Sequence, residues 1–154
     1  MSPAASANFD VIGIGDAIVD VLARADDDFL IAQGMHKGGM TLIDEARAQA
    51  IYDAMGPAIE ISGGSAANTI VGVAGFGCRA AFIGKLKADG LGHAFGHDIR
   101  AAGVTFTTPP ASDGPSTGRC YVLVTPDGER TMNTYLGAAQ ELHPGDIEDR
   151  KSVV

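Results

Sequence analysis

The chain has 154 residues, 45% of them hydrophobic and 19% charged, with 21 glycines and no tryptophan. That is the composition of one turn-rich globular domain, able to bury about 68–70% of its unfolded surface. A net charge of −8 with a pI near 4.7 counts against a nucleic-acid or anionic-membrane partner, since either would want a basic face.

The start, MSPAASANFD, lacks the basic and apolar regions of a signal peptide, and no apolar run reaches the ~20 residues of a membrane helix. Cys78 and Cys120 have no metal-ligand spacing, and reduced thiols in a cytosolic protein are the simplest reading. FDVIGIG (9–15) reads as a buried strand, and AIVDVLARA (17–25) alternates well enough to continue as an exposed one. DDDFLIAQGM opens on acidic residues, as helix starts do, and stops at Gly34. MTLID is a short strand, and DEARAQAIYDAMG a helix capped by Asp44 and ended by Gly56.

EISGGSAANTIVGVAGFG (60–77) is a strand ending in Gly63-Gly64, then a small-residue helix that Ser65 is placed to N-cap. RAAFIGKL is a strand and GLGHAFGHDIRAAG a helix ending at Gly103. STGRCYVLVTPDGERTMNTYLG is two strands around Pro-Asp-Gly, a hairpin signal. LHPGDIEDRKSVV starts a helix after Pro144 and then opens another strand, so the chain reads as the N-terminal part of something longer. Strands separated by helices imply a mostly parallel α/β sheet with right-handed crossovers. The hairpin and residues 17–25 read as an antiparallel appendage on it.

Four features could carry chemistry. Gly13-Ile14-Gly15 resembles the start of a dinucleotide fingerprint, but Ile18 stands where its third glycine belongs and no helix pattern follows. Asp16 and Asp20 lie beyond that first strand. Carboxylates there can accept hydrogen bonds from sugar hydroxyls, or be no more than a turn residue and a solvated face. Gly63 and Gly64 let a backbone approach closely, with Asn68 in the following turn. What approaches could be a phosphate, a small polar substrate or only a neighbouring strand. His93 and His97 have an i, i+4 spacing that zinc can use, but no third ligand follows at a recognisable distance, so a solvated helix face is favoured. Cys120 reads as packing, and Arg119 and Arg130 as solvent-facing.

GIGDAIVDV, SGGSAAN, AFIGKLKADGLG, AAGV and STGRCYVLVTPDGERTMNTYLGAA occur in the order found in the ribokinase-like (PfkB) carbohydrate kinases. The resemblance runs from about residue 9 to 142 and is strongest to the adenosine-kinase branch. Two positions depart from the general pattern: Ile70 and Lys87 stand where a small residue and a glycine are usual.

The resemblance implies a ribokinase-like α/β fold over residues 9–154 behind a disordered start at 1–8. Segments 17–25 and 117–135 would form a small β-lid that closes over the substrate and excludes water. It implies phosphoryl transfer from Mg-ATP to a sugar or nucleoside hydroxyl in the cytoplasm, by a monomer or a homodimer joined through the lid. Asp16 and Asp20 would face the acceptor's hydroxyls, with Gly63, Gly64, Ser65 and Asn68 on its other side. The family's catalytic base is an Asp in a Gly-Ala-Gly-Asp motif near the C-terminal end, at a helix N-terminus. The look-alike DVIGIGD (10–16) fails, because Ile14 fills the small position and a strand follows. No catalytic or metal residue is therefore expected here: the chain would carry the acceptor half and, alone, be inactive. The alternative is a non-catalytic ligand-binding or interaction module, should the short chain act as such.

Overall fold

The computed structural model describes residues 8–148. The strand expected after Arg150 and the start at 1–7 lie outside the described residues. Seven strands and five helices follow one another as β1 Val11–Ile14, β2 Ile18–Arg24, α1 Asp27–Ala32, β3 Met40–Leu42, α2 Glu45–Ala54, β4 Ala58–Gly63, α3 Ser65–Gly75, β5 Ala80–Ile83, α4 Gly90–Ala101, β6 Gly118–Val124, β7 Arg130–Tyr135 and the single turn α5 Gly145–Glu148. A short 3-10 helix, Gly137–Glu141, joins β7 to α5.

Local chemistry accounts for most boundaries. The Asp26, Asp44 and Asp89 carboxylates each accept the backbone N–H three residues on, from Phe29, Arg47 and Gly92 at 2.7–2.8 Å. Each is an N-cap whose loss typically costs about 1 kcal/mol. Gly34 follows α1 with φ +63° and Gly103 follows α4 with φ +86°, conformations that other residues rarely adopt. In the hairpin turn, Thr125 N–H donates to the Glu129 carbonyl at 3.0 Å, with Gly128 at φ +86°.

The strands form two sheets. β1 and β5 pair in parallel, and the segment after α4 extends this sheet on the far side of β5, through a parallel bridge from Ala81 to Thr105. The larger sheet has five strands in the order β3-β7-β6-β2-β4. Within it β2 runs parallel to β6 and antiparallel to β4. Three expectations change here. FDVIGIG is not a buried strand: among the described residues β1 pairs with β5 alone, and Val11, Ile12 and Ile14 are exposed. Residues 17–25 are not an exposed strand: β2 is the second strand from one edge, and Val19, Val21 and Ala23 are buried. Nor is the appendage purely antiparallel, since β2–β6 and β3–β7 are parallel. β2 is interior because β6 and β4 flank it, and the parallel pairs arise because β2 lies beside β6 and β3 beside β7. Pairing partners are non-local, so no single segment's alternation reveals them.

The sheet's two faces differ. On one, Val19, Val21 and Tyr121 pack into the main core with Ala48 and Ile51 of α2. The Tyr121 ring lies 6.4 Å from that of Tyr52. The same core continues under the smaller sheet, where Phe82, Phe95 and Phe106 stack with centroids 5.6–6.1 Å apart. α3 packs on β1 through two glycines. A β-carbon on Gly13 would overlap Ile70, and one on Gly15 would approach Ala66 within 2.7 Å. The opposite face of the larger sheet is open, and Met40, Leu42, Ile59 and Ile61 are exposed on it.

Candidate functional site

Asp20 organises the region. It sits on β2, directly across from Ile61 of β4 and Cys120 of β6, so its side chain emerges on the open face. Among the described residues the structure gives its carboxylate no hydrogen-bond or ion-pair partner. Burial pushes its pKa up from the ordinary aspartate value, because a desolvated carboxylate prefers its neutral form.

What keeps the carboxylate there is Gly63. Any β-carbon at that position would overlap the carboxyl atoms of Asp20, so the missing side chain is the space the carboxylate occupies. Gly64 serves a second approach: its φ is +94°, and a β-carbon there would lie 2.7 Å from the Asp16 carbonyl oxygen. The glycine pair thus fits the strand end against Asp16 and Asp20 of this chain. It also moves the helix start. Gly64, not Ser65, is the N-cap residue of α3, and no side chain caps the helix. First-turn N–H groups are left without an intrahelical acceptor as a result.

A groove of about 660 Å³ opens over this corner, lined by Asp16, Asp20, Gly64, Ser65 and Asn68. Five of the six substrate-binding residues expected from the sequence are therefore together, and Gly63 lies behind Asp20. Asp16, Ser65 and Asn68 are exposed, and, like Asp20, their side-chain polar groups find no partner among the described residues. The groove's other wall is apolar and includes Met40, Leu42, Met132 and Leu136. Sequence reasoning missed that wall: these residues come from β3, β7 and the turn after β7, brought in by sheet pairing. The alternation in MTLID was the one local signal.

Size alone does not select this groove. A larger hollow of about 840 Å³ lies beyond the far end of β2, but its lining has no carboxylate, amide or histidine. Chemistry decides for the smaller.

The remaining candidates fall elsewhere. Cys120 is buried, accepts a hydrogen bond from the Thr134 hydroxyl at 3.2 Å, and has its thiol pKa pushed up chiefly by burial. Arg119 is not solvent-facing but 8% exposed. Its Nε donates to the Tyr121 hydroxyl at 2.9 Å, and its guanidinium lies 5.0 Å from the Tyr135 ring centroid. The core face of β6 and the aromatic neighbours explain the burial. Arg130 is exposed. His97 contacts Asp98, and no group of three His, Cys, Asp or Glu side chains among the described residues could hold a metal ion. No helix among these residues is long and apolar enough to cross a membrane.

Residues 59–153 match the profile of the pfkB family carbohydrate kinases. The chain belongs to that family. The crystal structure of adenosine kinase from Sinorhizobium meliloti superposes with a TM-score of 0.86 at 56% identity, over 94% of this chain and 44% of that one. Among curated pfkB relatives, adenosine kinase 2 of Arabidopsis thaliana is 31% identical over 88% of this chain and 41% of its own length. Probable fructokinase-3 of the same plant is 32% identical over 54% of this chain and 24% of its own. The α/β architecture is ribokinase-like, and the chain spans less than half the length of the family members it matches.

Proposed function

We propose that this chain is the acceptor-binding part of a kinase that transfers the terminal phosphoryl group of ATP to a hydroxyl of a nucleoside or sugar, in the cytoplasm. The observation that carries the reading is the convergence of Asp16, Asp20, Ser65 and Asn68, none with a side-chain partner among the described residues, on one groove. A carboxylate left half-buried without a donor is costly, and a polyhydroxylated ligand removes that cost by supplying two O–H donors. Asp20 accepts those bonds, Asn68 and Ser65 hold the ligand from the helix side, Gly63 keeps Asp20 aimed, and Asp16 supports from the turn. The opposite wall of Met40, Leu42 and Met132 suits an apolar ring, which favours a nucleoside over a free sugar. The named adenosine kinases among the relatives point the same way.

In this reading the larger sheet, with segments 17–25 and 117–135 at its centre, acts as the lid that excludes water from the acceptor, and a homodimer, if formed, joins through it. The catalytic base, the ATP pocket and the magnesium ligands belong to parts of the family fold outside this chain. The chain alone therefore has no phosphotransfer activity, since positioning and charge stabilisation supply nearly all catalysis of this reaction.

The test is a panel of nucleosides and free sugars offered with Mg-ATP to a full-length protein carrying this chain. Phosphorylation of a nucleoside, best among the panel, is the expected result. Absence of turnover with every acceptor would overturn the kinase reading. For the isolated chain, turnover above the buffer control, abolished by Asp16→Asn, would make DVIGIGD the catalytic motif and overturn the division of labour.

A further inference from the structure

On the far side of β5 from the open edge of β1, a further hollow of about 340 Å³ lies between α4 and the segment around Phe106. Its lining carries Lys87, His93 and Arg100 and not one carboxylate, in a chain whose net charge is −8. The two permanent cations have no acidic partner among the described residues. Lys87 Nζ donates only to the Gly114 carbonyl at 3.3 Å, and Arg100 only to the Phe106 carbonyl at 3.5 Å. Lys37, Arg79 and Lys85, by contrast, are neutralised, by Asp27 and Asp127, by Asp10 and by Asp146, and Arg47 and Arg119 spend their donors on Gln33 and on Tyr121 and Ser116. Asp89 is close by, but its oxygens are occupied by the N–H groups of Gly92 and Thr117 and the Thr117 hydroxyl. Leu86, Phe106 and Pro110 supply an apolar wall beside the cations.

We infer that this hollow is a binding site for a small organic phosphate, its phosphoryl group held by Lys87 and Arg100 and its organic part against Leu86, Phe106 and Pro110. Long side chains whose donors are spent on single weak carbonyl bonds keep most of their N–H groups free for an anion. His93 adds a donor from either ring nitrogen. The volume matches one small ring with one phosphate. The site is separate from the Asp20 groove, shares no lining residue with it, and does not depend on the proposed kinase activity.

Isothermal titration of the protein with phenyl phosphate and with inorganic phosphate, at low ionic strength, tests this. Phenyl phosphate is expected to bind at least ~10-fold more tightly than inorganic phosphate, because only it uses the apolar wall. The double variant Lys87→Gln/Arg100→Gln should lose at least ~10-fold in phenyl phosphate affinity while its circular dichroism is unchanged. Asp20→Asn should bind phenyl phosphate as the parent does. Equal affinity for the two phosphates, retained affinity in the double variant, or loss in Asp20→Asn would each overturn the assignment. Should the double variant misfold, protection of Lys87 from amine acetylation by phenyl phosphate in the parent protein decides, absence of protection counting against the site.

Discussion

Asp89 and Asp20 are both partly withdrawn from water, and the protein treats them in opposite ways. Asp89 caps α4 and accepts from the Gly92 N–H at 2.8 Å, the Thr117 N–H at 2.9 Å and the Thr117 hydroxyl at 2.7 Å. Burial raises its pKa, but those bonds and the Arg119 charge outweigh burial and bring it below the ordinary value. Asp20 receives no such bond, and burial alone takes its pKa up. One carboxylate is a completed joint between the two sheets. The other is an acceptor left without a donor, which is what the proposed binding role asks of it.

The largest expected effect separates the two by activity. If Asp20 accepts from two acceptor hydroxyls as proposed, Asp20→Ala in a full-length kinase should lower kcat/KM ~30- to 1000-fold, about 2–4 kcal/mol. Near-parental kcat/KM in a folded variant would refute the role given to Asp20, and Asp16→Ala should cost less. Asp89→Ala should act on stability instead. Loss of a cap and two further charge-assisted bonds costs about 2–4 kcal/mol, a fall in Tm of about 4–16 °C for a chain of this size. An unchanged melting curve would break the contrast.

Gly63→Ala sharpens it. The new methyl must displace the Asp20 carboxylate, so kcat/KM should fall ~10-fold, while in an Asp20→Ala background the same change should matter little. Additive losses in that double-mutant cycle would mean that Gly63 does not act through Asp20.

Smaller still is Asp20→Asn on stability. The folded-state pKa of Asp20 is raised, so its ionised form disfavours folding as pH rises through that value. The amide should therefore raise Tm at pH 7 by about 2–4 °C or less, partial exposure limiting the effect to ~1 kcal/mol, with the gain vanishing below about pH 4. A lower Tm at pH 7 would contradict an unpartnered carboxylate.

The smallest effect belongs to the exposed Asp10, whose pKa the Arg79 side chain holds at about 2, below the usual 3.8. Its contribution is complete above about pH 4 and lost as pH falls toward 2. Asp10→Asn should flatten the Tm profile in that window alone, and an equal effect at pH 7 and pH 3 would argue against the pair.

The polar half of the groove was legible in the sequence because its residues are local. Asp16 and Asp20 flank one turn, and Gly63 to Asn68 span another. The helix caps at Asp44 and Gly34 and the Pro-Asp-Gly hairpin were legible for the same reason: each is decided within four residues. The apolar half was not, since Met40, Met132 and Leu136 meet only after β3 pairs with β7. Arg119 misled because its chain neighbours do not show that Tyr121 and Tyr135 enclose it. Ser65 misled because a serine before a helix looks like a cap, whereas the backbone had already turned at Gly64.

In the chain taken alone the edge of β1 is free, with a consequence for handling. Val11, Ile12 and Ile14 are exposed there, and among the described residues only β5 pairs with the strand. Such an edge is a template for another chain, and mutual repulsion from the net charge of −8 is the force that opposes it. Acidification toward the pI near 4.7 removes the repulsion and leaves the template. Turbidity at fixed concentration should therefore peak near that pH and clear again on either side, and salt that screens the charge should broaden the peak toward neutrality.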